Sequence, residues 1–307
     1  MQMLVVGSIA LDTVETPFGK MEDGLGGSAT HFATSASFFI QPQLVGVVGE
    51  DFPQEHLDFL KSRSICTKGL QQKSGKTFRW KGRYEYDLNT AHTLDTQLNV
   101  FQSFFPELPS EYRNNEIVFL ANIDPELQEK VIDQCDQVKW LALDTMNFWI
   151  HGKQEALKKT ISRVNMVIIN ETEARDLTQE SNLVKAARKI QSWGPSTLVI
   201  KRGEYGALLF FEDKIFSAPG LPLEDIKDPT GAGDSFAGGL MGYLSKHWVR
   251  TGDACVAPTF ELLKKACIYG SVMASFNVED FSLDRLRKLN FNEIEKRYQE
   301  FCSLAHF

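Results

Sequence analysis

Asp228-Pro229-Thr230-Gly231-Ala232-Gly233-Asp234-Ser235-Phe236-Ala237-Gly238-Gly239 follows a loop and opens a small-residue, then apolar, helix running to about Leu244. A Gly-x-Gly turn entering a helix leaves backbone N–H groups pointing outward at the positive end of the helix dipole, which makes an anion pocket. Asp234 falls in the first turn beside that pocket. A carboxylate there suits a base that takes a proton while the pocket stabilises developing phosphate charge. The same residues also suit an ordinary helix start with an acid in its first turn. Two other phosphate motifs are absent from the sequence. A dinucleotide-binding turn would need a third glycine where Phe236 stands, and Gly75-Lys76-Thr77 lacks the upstream glycine of a P-loop, Leu70 occupying its place.

Upstream of this turn, short apolar runs end repeatedly in polar residues or glycine. They are Leu4–Val6 into Gly7-Ser8, Leu44–Val48 into Gly49-Glu50-Asp51, Ile117–Ala121 into Asn122, Trp140–Leu143 into Asp144, Val167–Ile169 into Asn170 and Leu198–Ile200 into Lys201. Runs apolar at every position fit strands buried on both faces, as in a parallel sheet. Helix-length segments lie between them: Ala29–Phe39, Gln54–Lys61, Pro125–Asp133, Gln154–Ser162 and Leu183–Trp193. This alternation predicts an α/β fold, a doubly wound, mostly parallel sheet flanked by helices, as a single domain over 1–307. Ligands in such sheets sit beyond the carboxyl ends of the strands, where Asp51, Asn122, Asp144, Asn170 and Lys201 fall. Two segments break the rhythm, residues 13–24 and 75–99. The second alternates charged with aromatic residues from Phe78 to Asp87, which suits a small exposed sheet, and the pair reads as a β lid.

The chain has 307 residues, 43% of them hydrophobic and 24% charged, enough for a sizeable core. Its 33 basic and 40 acidic residues give a net charge of −7, which argues against a nucleic-acid partner. No apolar run approaches a membrane span, and the N-terminus enters a strand-like segment directly, which leaves no room for a signal peptide. The five cysteines (Cys66, Cys135, Cys255, Cys267, Cys302) form no C-x-x-C pair, which points to a reducing compartment and away from a structural zinc site. A cytoplasmic protein is the expectation.

The residues from Asp228 to Asp234 resemble the C-terminal signature of the ribokinase, or PfkB-type, carbohydrate kinase family. Four more landmarks occur in the family's order. Gly26-Gly27 before a helix resembles its di-glycine, and Val45-Gly46-Val47-Val48-Gly49-Glu50-Asp51 its V-G-x-x-G-x-D strand. Asn170-Glu171-Thr172-Glu173 resembles N-x-x-E, and Gly203-Glu204-Tyr205-Gly206 the nucleotide-side G-x-x-G turn. The resemblance implies a ribokinase-like fold and ATP-dependent phosphorylation of a hydroxyl on a small molecule. It makes Asp234 the catalytic base, and gives the anion hole to the N–H groups of Gly231, Ala232 and Gly233. It assigns Asn170 and Glu173 to magnesium, held through water, and Asp228 to a position associated with a potassium ion. Lys201, Gly203 and Gly206 would face ATP, and Asn277, in the helical run Ala266–Val278, would border the adenine pocket.

On the acceptor side, Asp12 resembles the family aspartate that binds substrate hydroxyls, and Gly26 and Gly27 let the backbone approach the substrate. The sequence also departs from ribokinase. Ala10 and His31 stand where ribokinase-like sequences carry sugar-binding asparagines, Ser28 replaces a lysine, and Trp149 replaces the arginine of a D-x-N-x-R segment beginning at Asp144. Losing that cation argues against an anionic acceptor. The expected function is therefore transfer of the γ-phosphoryl group to a small neutral sugar, with His31 and Asn122 at the acceptor. The alternative is a nucleoside kinase, in which Trp80, Tyr84 and Tyr86 stack on a base and His31 bonds it. A remoter alternative is a non-catalytic ligand-binding relative, which would have no need of Asp234. A homodimer through the lid is the expected assembly, with no nucleic-acid or membrane partner.

Overall fold

Each run that the sequence makes apolar throughout becomes a strand with both faces covered. In the computed structural model, which describes residues 2–248, 250–251, 254–255 and 257–304, these strands build one nine-stranded sheet. In chain order the elements are β1 (Gln2–Val6), β2 (Ala10–Thr16), β3 (Gly19–Gly26), α1 (Ser28–Ala36), β4 (Gln41–Gly49), α2 (Gln54–Ser62), β5 (Cys66–Lys73), β6 (Phe78–Tyr84) and β7 (Ala91–Gln97). Next come β8 (Ile117–Leu120), α3 (Pro125–Ile132), β9 (Trp140–Leu143), α4 (Asn147–Gly152), α5 (Gln154–Ile161), β10 (Met166–Asn170), α6 (Glu171–Thr178), α7 (Leu183–Gln191) and β11 (Thr197–Lys201). The chain continues through β12 (Ala207–Phe211), β13 (Lys214–Ala218), α8 (Ala232–His247), α9 (Phe260–Asn277), α10 (Asp284–Lys288) and α11 (Phe291–Leu304). Met1 and the side chain of Cys255 lie outside the described residues; Cys66, Cys135, Cys267 and Cys302 are unpaired.

The sheet order is β13-β12-β11-β10-β9-β8-β1-β4-β5, with β1, β4, β5 and β8 to β11 parallel and β12 and β13 antiparallel. The order reverses around β1, which pairs with β4 on one side and β8 on the other, and that reversal opens the crevice in which such sheets bind ligands. Alternate strand residues feed two cores. Val5 and Ile168 face the layer that contains Phe32 of α1, Leu240 of α8 and Val272 of α9, while Val6 and Ile169 face Val131 of α3 and Leu157 of α5. The β12–β13 hairpin has no counterpart in the sequence expectation. No described helix is long and apolar enough to cross a membrane.

The lid is a four-stranded sheet of order β3-β2-β6-β7, in which β2 and β6 run parallel. Its bounds correct the sequence expectation of 13–24 and 75–99. The lid strands begin at Ala10 and end at Gly26 in the first segment, and run from Phe78 to Gln97 in the second. The reason is burial. Ala10, Leu11, Val14 and Leu25 pack inward, so the first lid strands are only half polar. Asp51, at the end of β4, ties the lid to the main sheet: its carboxylate accepts the Thr77 N–H at 2.7 Å and the Arg79 guanidinium at 2.7 Å.

Candidate active site

The glycine turn sits where α8 starts beneath the lid. Gly231 is the N-cap of α8 with φ +74°, and a Cβ there would fall on the His31 ring, so both the backbone angle and the neighbour demand glycine. No side chain caps this helix start. The Ala232 N–H is bonded to the Pro229 carbonyl at 3.1 Å, which corrects its expected place in the anion hole: the turn itself uses that donor. Gly231 and Gly233 keep N–H groups outside the turn's hydrogen bonds. The Lys201 ammonium lies 2.7 Å from where a Gly233 Cβ would stand, so a cation joins these donors at the helix mouth.

Asp234 is half-buried in the first turn of α8, and its carboxyl is hydrogen-bonded to that of Asp144, which is 4% exposed at the end of β9. Two carboxyls at hydrogen-bond distance hold one proton between them. Burial raises both, but their shared hydrogen bond raises Asp144 and lowers Asp234, so Asp144 keeps the proton and donates it toward an ionised Asp234. Lys201 favours the charged form of Asp234 from across the site. Asp144 Oδ1 is buried and, among the described residues, takes no hydrogen bond from any other side chain or backbone N–H. The sequence places Asp144 at the ligand end of its strand, through its position after an apolar run, but not its pairing with Asp234.

Asn170 and Glu173 follow from the end of β10 into α6, and Asn170 lies in register with Lys201 on β11. The two form a reciprocal capping box: the Asn170 N–H donates to Glu173 Oε2 at 2.7 Å and the Glu173 N–H to Asn170 Oδ1 at 2.8 Å. This leaves Glu173 Oε1 outside the box, on a side chain 8% exposed whose carboxyl burial raises above its ordinary range. Gly203 and Gly206 bracket the turn between β11 and β12, both at positive φ. Asp228 is 1% exposed, and its two oxygens accept backbone N–H groups of Thr230 at 2.9 Å and Ser282 at 3.1 Å, so it braces the turn. Asn277 corrects its expected place at the adenine: it is 0% exposed, and its amide bonds His31, Ser235 and Thr230 in the core.

Across the crevice, Asp12 on β2 is 7% exposed and accepts the Gly27 N–H at 3.4 Å. Burial, reinforced by the nearby charges of Asp228 and Asp234, pushes its carboxyl up to about 7. Gly27 has φ +91° and stands against the Ser8 carbonyl, and Gly26 packs against the Asp12 carboxylate, so the di-glycine seats this acid. Trp80 pairs in register with Asp12 on the parallel neighbour strand, which puts both side chains on one lid face. The Trp80 ring lies over Gly82, and its Nε1–H donates to Thr93 at 3.2 Å. Further along this face, the Tyr84 hydroxyl lies 3.4 Å from Thr230 Oγ1, and burial pushes it up to about 12. Tyr86 is 87% exposed and takes no part. Asn122 is half-buried at the crevice rim, where its side-chain oxygen accepts the Trp149 Nε1–H at 3.0 Å. His31 is 2% exposed beneath the turn, and burial holds its ring below the usual imidazole range, hence neutral.

A carboxylate facing open N–H donors and an ammonium, at the switch point of a doubly wound sheet under a β lid, defines a phosphotransferase of the small-molecule kinase class. The chain matches the pfkB family of carbohydrate kinases over residues 3–286 and belongs to that family. It is 33% identical to a cytidine kinase of Thermococcus kodakarensis over 252 residues, 80% of this chain and 89% of that protein. Among solved structures, the nucleoside kinase of Methanocaldococcus jannaschii superposes with a TM-score of 0.76 at 21% identity, covering 97% of this chain and 98% of that one. The nucleoside kinase of Burkholderia thailandensis in complex with inosine superposes with a TM-score of 0.73 at 17% identity, covering 97% and 98%. The ribokinase-like fold expected from the motifs is the fold observed.

Proposed function

We propose that this kinase transfers the γ-phosphoryl group of ATP to a sugar hydroxyl of a nucleoside. The observation that carries the reading is the Trp80 ring over Gly82 on the lid face that presents Asp12. A carboxylate that accepts two hydroxyl donors suits the sugar, and a flat indole beside it suits a base stacked on one face. A small neutral sugar, the first expectation from sequence, fills the Asp12 half and leaves the indole without a partner. The cytidine kinase relative and the inosine-bound structural neighbour support the same choice.

In this reading Asp234 accepts the proton of the attacking hydroxyl, while the N–H groups of Gly231 and Gly233 and the Lys201 ammonium face the transferring phosphoryl group. Lys201, Gly203 and Gly206 take the ATP side. No group of three or more His, Cys, Asp or Glu side chains forms a metal cage among the described residues. Magnesium needs none, since it keeps much of its water and leans on phosphate oxygens. The Glu173 Oε1 left outside the capping box is a hard oxygen donor that fits a hydrated ion, and Asn170 and Glu173 would hold it through water. Such an ion neutralises charge on the phosphates. A coupled assay of ADP release over nucleosides and free sugars tests the function. The expected result is a kcat/KM for cytidine or another nucleoside at least about tenfold above that for ribose or fructose. The reverse ranking returns the enzyme to the sugar kinases.

A further inference from the structure

We infer that His31 and Asn277 are positioning residues that together set the anion-hole turn, His31 acting through Asn277 and not on the acceptor. The inference rests on the kinase reading of this site, not on which acceptor it takes. The Asn277 amide grips the turn on both sides of Gly231–Asp234. Its Nδ2 donates to the Thr230 carbonyl at 2.8 Å, just before the turn, and its Oδ1 accepts the Ser235 hydroxyl at 2.9 Å, just after it. Since Nδ2 must face the Thr230 carbonyl, Oδ1 faces His31, and an amide oxygen only accepts. The 3.1 Å contact between His31 Nδ1 and Asn277 Oδ1 therefore places the imidazole proton on Nδ1.

His31 completes the device in two further ways. Its ring packs beneath Gly231 so closely that no side chain fits there, and its backbone N–H donates to the Gly27 carbonyl at 3.2 Å. One residue thus references both the acceptor loop and the anion-hole turn. Asn277 is 0%, Ser235 0% and His31 2% exposed, so no water can substitute for a lost bond. Without the Nδ1–H donor the amide keeps only its Thr230 and Ser235 bonds, and the aim of the Gly231 and Gly233 N–H groups loosens. Aim at the transferring group governs kcat more than ground-state binding.

Two substitutions separate the ring's nitrogens, since an Asn amide reaches about as far as Nδ1 and a Gln amide about as far as Nε2. Steady-state kinetics use ATP with cytidine, or with fructose if nucleosides are inert. His31→Asn should retain kcat within about threefold, while His31→Gln should lose about tenfold or more with acceptor KM changed by less than about threefold. Asn277→Asp, which removes the donor to Thr230, should lower kcat in the same manner. Hydrogen exchange of the segment 229–236 should quicken in His31→Gln and not in His31→Asn, a readout that stands even if the acceptor is misidentified. Thermal unfolding reports whether each variant folds; should His31→Gln fail, Asn277→Asp decides. The inference is overturned if His31→Gln keeps kcat and acceptor KM while His31→Asn raises KM, because Nε2 would then be touching the acceptor. Unchanged exchange in both His31→Gln and Asn277→Asp overturns it equally.

Discussion

His31, Asn277 and Ser235 hold the anion-hole turn from inside the core with at most 2% of their surface exposed, whereas β7 of the lid is exposed at all seven of its positions. The turn rests on buried hydrogen bonds to residues from α1, α8 and α9. The lid rests on its strand ladder and on surface ion pairs such as Arg79–Asp51 and Arg83–Glu15. Surface pairs of this kind contribute about 0–1 kcal/mol each. Elements at the low end of local stability are the ones that can open and close. The turn is fixed from within the core, while the outer strand of the lid is lightly held.

The sharpest way to break this division is at its fixed side. Asp234→Asn keeps shape and hydrogen bonding but removes proton acceptance, so kcat should fall about 10²–10⁴-fold while acceptor KM moves little. Retained turnover in the folded variant would show that Asp234 is only a helix-start acid. On the lid side, Trp80→Ala should do the opposite, raising the nucleoside KM about tenfold to a hundredfold with kcat largely kept, as expected for loss of base stacking. A fall in kcat at constant KM would mean that the lid belongs to the chemistry.

Two smaller effects refine the picture. Glu173→Gln keeps a cap-competent side chain, so it should shift half-maximal magnesium upward by about threefold to tenfold without altering acceptor KM. An unchanged magnesium profile reduces Asn170 and Glu173 to their capping box. Asp12 gives a stability test. Its carboxyl titrates at about 7 in the fold, against an ordinary value near 3.8, so the folded state binds a proton that the unfolded state has released. Stability therefore falls as pH rises between those values, and the cost is complete above about pH 7. Asp12→Asn should raise Tm by about 2–6 °C at pH 8 and hardly at all at pH 4, while weakening the acceptor. Equal Tm shifts at both pH values would remove the burial argument for Asp12.

What could be read from the sequence was what is local. The parallel strands announced themselves because both faces are buried, and the polar residues after them fell at the crevice because strands end there. The turn around Gly231 was legible because positive φ and an open helix start leave a glycine pattern. The β12–β13 hairpin was not, since its turn puts Glu212 at φ +51° without the glycine or asparagine that normally marks such a reversal. Ala232 misled because a motif names residues and not the direction of their N–H groups. Asn277 misled because its partners Thr230 and His31 lie far off in the chain, and no spacing rule connects them. Trp80 was visible as an aromatic in an alternating strand, but its place beside Asp12 depends on the β2–β6 register.

The bond between His31 and Asn277 joins residues 246 positions apart. Contacts of such separation form late, because the loop between them must close first. During synthesis at about 5–20 residues per second, α1 and the di-glycine loop therefore wait tens of seconds for the side chain that completes the turn. A chain that lacks Asn277 has α1 and the di-glycine loop but not the amide that joins them to the turn.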